Sequence, residues 1–536
     1  MTIPSWLPED PERESWDAVV IGTGMGGGTI GYELARLGRR VLFLEKGRFV
    51  QRDAEAETGD LTRESDDPES RMRRGQWPVP LRGSTSFGEV EFFFPLGCGS
   101  GGSSLLYAAA LERLLPADFE PRTNFPEVPE AALPDAWPVS YTEMDPWYER
   151  AERLYRVRGT PDPLQGVARD HLLEPPPLSP RDEAVRELFV RSGLHPYRVQ
   201  VGCDYVEGCQ GCGGVVCLRE CKADAGHIGV VPAVEKLGAK LLPRCEVLGF
   251  EAGPAHVHRV HCSWNGRPLA ISAKIVILAA GALATPRILL ASRSAAWPEG
   301  LANQAGLVGR HLMLHTSDFI AVRPDSGGSI AGPDKSLALN DFYFAEGRKL
   351  GTFQAVGLPV STGSALAHLR QQADRDPRWW RTATRPFLRF AALAGAVYFR
   401  NAVVYSSIVE DLPYPDNRVM LDAGARNGMR FEYRYRQELR ERNELFRRCL
   451  SDALGRRRVF VLSSENNLNY GHACGTCRFG VDPATSVLDR DNRAHGIDNL
   501  YVVDASFFPS SGGKNPSLTI AANALRVAQV IHGQLP

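Results

Sequence analysis

The run VVIGTGMGGGTIGYELA, Val19 to Ala35, constrains this chain more than any other stretch. Asp17 to Ile21 reads as a buried strand, and Gly22, Gly24 and Gly27 follow it as G-x-G-x-x-G. A helix then runs to about Leu37, and a second strand ends at Glu45. Only glycine lets the turn close and the backbone approach a pyrophosphate at the helix N-terminus, while a carboxylate ending the next strand can accept from ribose hydroxyls. The pattern predicts a βαβ unit holding a dinucleotide, and FAD and NAD both satisfy it.

A second glycine cluster, Gly97, Gly99, Gly101 and Gly102 with Ser103 and Ser104, has no role in a fold that binds NAD alone. Small residues flanked by apolar segments suggest backbone lying flat against a planar ring, where any Cβ would collide. Elsewhere AKIVILAAGALATPRILLASR reads as a buried strand, a turn and a helix with Pro286 in its first turn. Residues 142–155 suit a helix with Trp147 and Tyr148 inward. The stretch 311–461 mixes short strands with turns, the texture of an antiparallel sheet with helices on one face. Arg52 to Arg74 is densely charged and reads as an exposed excursion or lid.

The fold class is therefore α/β, a Rossmann-like dinucleotide-binding domain joined to an α+β substrate domain with an antiparallel sheet. The expected division is interleaved. Residues 1–155, 200–310 and 462–536 form the dinucleotide domain, and 156–199 and 311–461 form the substrate domain. With 62 basic against 63 acidic residues there is no bulk field to hold nucleic acid. The opening residues carry acids where an export signal needs a basic region, so a cytoplasmic location is expected. Eleven cysteines are too few for a disulfide scaffold in a chain of 536 residues.

Several segments in order carry a resemblance: the fingerprint, GCGSGGSSL, WPVSYTEMDPWYERAERLYRVRG, GALATPRILLAS, VGRHLMLH, and HACGTCRFG followed by NLYVVDASFFPSSGGKNPSLTIAANALR. Over nearly its whole length the chain resembles the glucose-methanol-choline (GMC) flavoprotein oxidoreductases, nearer their cholesterol-oxidase-like and long-chain-alcohol branches. The resemblance implies FAD and oxidation of a C–OH group, with proton removal and hydride transfer to flavin N5. In the motif H-x-x-G-T-x-x-x-G the catalytic histidine is His472, and the partner position before proline is Asn515. Cofactor contacts are implied at Gly22, Gly24, Gly27, Glu45, Gly99, Gly101, Gly102, Ser103, Val247, Asp504, Ala505 and Pro516. The second glycine loop has no histidine for covalent attachment, so noncovalent FAD is expected.

His472 sits two residues before Cys474, which with Cys477 has the spacing of a zinc half-site or a dithiol. Free cysteine is most often a small buried hydrophobe, and Arg478 is the one basic neighbour that would stabilise a thiolate, so both are read as bystanders. A second cluster holds Cys203, Cys209, Cys212, Cys217 and Cys221. Some relatives carry an iron–sulfur cluster in this region, and Cys212, Cys217 and Cys221 are the ligand set it implies; the reading favoured here is a loop of thiols with no metal. Asp376 to Arg400 combines aromatic, basic and apolar residues and is too short to span a bilayer. It reads as a core-facing helix, the alternative being a greasy mouth on a membrane. Glu410 and Asp411 could touch substrate, but a structural role in the turn is the favoured reading.

The expected partner is a small alcohol, sterol-like or long-chain, with a redox partner if the enzyme is a dehydrogenase. The rivals are isomerisation or decarboxylation in the same cradle, and an electron-transfer subunit with an iron–sulfur cluster.

Overall fold

The computed structural model describes residues 4–49, 67–166, 169–209, 211–325, 328–329, 335–357, 361–375, 385–463 and 467–536. Most of the charged excursion predicted over Arg52 to Arg74 lies outside them; its end is a short helix, Pro68–Arg73, capped by Asp67.

Trp16–Ile21, the fingerprint strand, is fully hydrophobic from Ala18 onward because it lies at the centre of a five-stranded sheet. The strand order is Leu500–Val502, Ala273–Leu278, Trp16–Ile21, Val41–Leu44, Lys240–Leu242, and every pairing is parallel. Strands buried on both faces leave no alternation to read, which is why these segments are continuous Val/Ile/Leu runs. The fingerprint helix, Met25–Arg36, packs against the closing helix, Ser517–Gln534. Tyr141–Leu154 packs on the closing helix as well, through a Tyr148–Thr519 hydroxyl pair at 2.8 Å. Its N-terminus is a capping box between Ser140 and Glu143.

A second, six-stranded sheet is antiparallel in every pair. Its order is Val459–Val461, Phe319–Val322, Val403–Val409, Gly351–Ala355, Leu337–Leu339, Tyr197–Arg198. Phe353 stacks on Tyr405 at 4.8 Å in its core, and the helix Gln437–Leu454 packs against it. Tyr197–Arg198 joins this sheet from the early part of the chain. Leu81–Thr85 likewise pairs with Met429–Tyr433, and Gly88–Phe92 adds outside it, in a four-stranded sheet, so chain from before residue 100 reaches the middle third.

The helix read as core-facing is not. Its structured part, Leu388–Tyr398, has Ala392 as its one buried residue, and the stretch 376–384 lies outside the described residues. An apolar run shows that a helix has a greasy side; what covers that side is decided by tertiary neighbours, and here nothing among the described residues does.

Candidate functional site

The fingerprint turn and the second glycine cluster meet. A Cβ on Gly102 (φ +53°) would stand 2.7 Å from the Cα of Gly24, and one on Gly97 would stand 2.0 Å from the carbonyl oxygen of Gly102. Gly102 thus lets the two turns touch and Gly97 lets the second turn close on itself, and both also line the cavity described below. Gly26 and Gly27 are required for helix–strand packing, since a Cβ there would strike the carbonyl oxygens of Val503 and Gly22 at 2.2 and 2.0 Å. Gly24 differs. A Cβ there would meet only the Cα of Gly102 at 3.9 Å and would otherwise point into open space.

Glu45 ties the two turns. One oxygen accepts from the Thr23 amide at 3.1 Å and hydroxyl at 2.5 Å, and the other accepts from the amides of Gly47 at 2.8 Å and Gly99 at 3.1 Å. Burial pushes its carboxyl above the usual range against these donors. Asp504 does similar work on the next rim, accepting from the Gly281 amide at 2.9 Å, the Thr285 hydroxyl at 2.5 Å and the Ser506 amide at 2.8 Å.

Between these rims lies a cavity of about 480 Å³. Gly22, Gly24, Glu45, Gly102, Ser103, Val247, Asp504, Ala505 and Pro516 line it, as do His472 and Asn515 at its far end. Gly27, Gly99 and Gly101 do not: they hold the turns together from behind. An open, glycine-floored channel with buried carboxylates on its rims fits a flavin dinucleotide, and the N-terminus of the 18-residue closing helix opens on it at Pro516 and Ser517.

His472 ends a short turn, Tyr470–His472, held by its own amide donating to the Asn469 carbonyl at 2.9 Å. Beyond it, Met313 and Cys474 exchange two backbone hydrogen bonds at 3.0 Å, an antiparallel register that brings residue 315 opposite 472. His315, which sequence reasoning missed, is therefore the neighbour of His472, with Nδ1 to Nδ1 at 3.1 Å. Its Nε2 lies 2.7 Å from the Gly512 carbonyl oxygen, which can only accept. That nitrogen carries the proton, so Nδ1 of neutral His315 is a lone pair. His472 must then donate from Nδ1, leaving its Nε2 bare toward the cavity. Burial above all, then His315 and Lys335, holds the His472 imidazole well below its ordinary pKa. Asn515 Nδ2 stands 3.5 Å from Nε2 of His472, and Gln354, also unforeseen, fixes that amide by donating to Asn515 Oδ1.

The loop carrying Asn515 is pinned along its length. Trp137 donates to Ser510 at 2.8 Å, Asp411 N donates to Ser511 at 3.0 Å, Gly512 N to Glu410 at 3.2 Å, and Gly513 N to Tyr343 at 2.9 Å. Beneath it Lys349 pairs with Asp118 at 2.5 Å and Glu410 at 2.6 Å, all fully buried. Glu410 and Asp411 thus support the loop and do not line the cavity.

Cys474 and Cys477 are buried, and burial pushes both thiols well above their ordinary pKa. Among the described residues Cys203, Cys209 and Cys221 lie within reach of one another; of the predicted set, Cys217 touches Cys221 and Cys212 touches Cys217. Neighbouring sulfurs stand 4.0 Å (203–209), 3.5 Å (209–221) and 3.4 Å (217–221) apart. Two thiolates on one tetrahedral ion, with metal–sulfur bonds of about 2.3 Å, stand about 3.8 Å apart. Cys203, Cys209 and Cys221 are therefore spaced to share a single ion, beside a hollow of about 30 Å³, rather than to spread over separate irons.

Residues 413–524 match the family model described as GMC oxidoreductase, and residues 17–335 match the one described as FAD dependent oxidoreductase. The chain is 27% identical to paromamine 6'-oxidase of Streptomyces fradiae, over 99% of this chain and 93% of that one. It is 28% identical to 2-methyl-1,2-propanediol dehydrogenase of Mycolicibacterium austroafricanum, over 96% and 95%. The structure of pyridoxine 4-oxidase from Mesorbium loti superposes with a TM-score of 0.65 at 19% identity, covering 97% of this chain and 99% of that one.

Proposed function

The chain belongs to the FAD-dependent GMC oxidoreductases, enzymes that oxidise CH–OH groups, and from that premise we propose that His472 takes the hydroxyl proton of an alcohol which Asn515 orients. FAD, when bound, supplies the two-electron acceptor for the carbon-bound hydrogen. The observation that carries the reading is the bare Nε2 of His472 beside the Asn515 amide in the channel that the fingerprint opens. A hydroxyl placed between them accepts from Asn515 Nδ2 and donates to His472 Nε2. Because the imidazole is already held neutral, the base is ready at neutral pH. His315 acts through His472, as a positioning residue.

The substrate end has two kinds of wall. Phe319, Val356 and Ile408 are apolar, while Ser317, Gln354 and Asn469 are polar. These suit an alcohol with an apolar body and at least one further polar group. Lys335 also lines this end and makes no ion pair among the described residues, which disfavours a cationic substrate.

Replacing His472 with alanine tests the proposal. Flavin stays bound, and its anaerobic reduction by alcohol slows ~10²-fold or more; reduction at the wild-type rate removes His472 from the reaction.

A further inference from the structure

Phe387, Phe390, Leu393, Val397 and Tyr398 are 65, 74, 54, 62 and 55% exposed. They recur at helical spacing along Leu388–Tyr398, and Ala392, the buried residue, lies on the opposite side. The helix turns its greasy face outward, the reverse of a surface helix on a globular protein. It is not a loose end. Arg323 donates to the Tyr398 carbonyl at 3.0 Å and lies 4.5 Å over its ring, and Phe399 meets Phe460 at 5.5 Å. The helix also packs on Thr362–Arg375, whose His368 ring meets Phe319 at 5.1 Å, and Phe319 lines the substrate end of the cavity.

Charge selects what covers this face. Arg389 in this helix and Arg400 just after it are exposed, and residues 385–409 contain no acidic residue, in a chain whose net charge is −1. A second copy placed two-fold across the face would set arginine against arginine. A bilayer of anionic lipid offers phosphates to the arginines and hydrocarbon to the phenylalanines. At 11 residues the helix is too short to span, and no helix among the described residues is long and apolar enough to cross a membrane. We propose that Leu388–Tyr398 is an interfacial docking helix that lies in the plane of an anionic lipid surface and sets the substrate end of the cavity beside it. Docking does not depend on the catalytic assignment; an alcohol dissolved in the bilayer would enter past Phe319.

Flotation of the full FAD-loaded chain with vesicles tests this, using phosphatidylcholine alone and phosphatidylcholine with about 30% phosphatidylglycerol. The expected result is binding to the anionic vesicles that weakens at high salt. Phe390→Asp with Val397→Asp should reduce it at least ~10-fold, as should Arg389→Glu with Arg400→Glu. Reduction of bound flavin by a water-soluble alcohol should be unchanged in both pairs. Absence of vesicle binding, equal binding to neutral vesicles, or binding indifferent to both variant pairs overturns the proposal. So does a dimer on size exclusion that the Asp pair dissolves, which would assign the face to a second copy.

Discussion

Replacing His315 with leucine removes the ring nitrogen that His472 Nδ1 meets at 3.1 Å, on a fully buried side chain. Leaving that buried N–H unpaired costs about 1–3 kcal/mol. The tautomer with its proton on Nε2 escapes this cost, and in that tautomer the nitrogen facing substrate is a donor and no base. At 1.36 kcal/mol per factor of ten, the competent form and the limiting rate of flavin reduction should fall about 5- to 150-fold. The saturation constant should hold, because His315 does not line the cavity. Anaerobic stopped-flow bleaching measures both, and ¹⁵N shifts of the His472 ring report the tautomer directly. The control is His315→Asn, whose amide oxygen can accept where Nδ1 did and should recover most of the rate. Since the imidazole titrates below its ordinary range, the wild-type rate should hold as pH falls through 6.5, the ordinary histidine value, and decline only further down, where the base becomes protonated. A folded, flavin-loaded His315→Leu enzyme as fast as wild type refutes the reasoning, as does an Asn variant as slow as the leucine one.

Gly102→Ala places a Cβ 2.7 Å from the Gly24 Cα at a positive φ and should cost about 1–3 kcal/mol and most of the bound flavin, read as flavin per protein after gel filtration. Lys349→Met strands two buried carboxylates and should lower stability by about 3–5 kcal/mol in thermal melts. That deficit should shrink as pH is lowered, because burial already pushes the Glu410 carboxyl upward and its protonation removes stranded charge. Iron and acid-labile sulfide in the purified holoenzyme should be far below the flavin content; equimolar values would place an iron–sulfur cluster on the loop.

What was legible in the sequence was local. The fingerprint shows because strand, turn and helix are contiguous and Gly22 and Gly27 answer to neighbours in the same unit or the next strand. His472 and Asn515 showed through motif. His315 did not, although HLMLH was in view, because its role arises from a register between Met313 and Cys474 that no local pattern encodes. Gln354 is hidden for the same reason: it reaches Asn515 from a strand 161 residues away. Spacing put Cys212, Cys217 and Cys221 forward as near neighbours, whereas the fold-back that also brings Cys203 and Cys209 to Cys221 has no local signature. In Leu388–Tyr398 the absence of acidic residues was the available sign of an outward face, and the apolar run obscured it.

The buried ions explain why such a site can be exact without being rigid throughout. His472 and His315 come from the rim of the antiparallel sheet, whereas Asn515 comes from the loop before the closing helix, which belongs to the parallel-sheet layer. The two groups that share one oxygen in the proposed reaction thus ride on different layers, and any slip between layers would separate them. The contacts that prevent slip converge on Ser510 to Asn515. Gly512 receives His315 on its carbonyl and gives its amide to Glu410, while Lys349 neutralises Glu410 and Asp118, and Tyr343 bridges Asp118 to Gly513. A buried ion triad is a weak source of net stability, but removing any one member is expensive, so it resists partial displacement. That is the property a junction between two layers needs. Placing the triad directly under the Asn515 loop converts the high cost of an unpaired charge into fixed geometry at the hydroxyl.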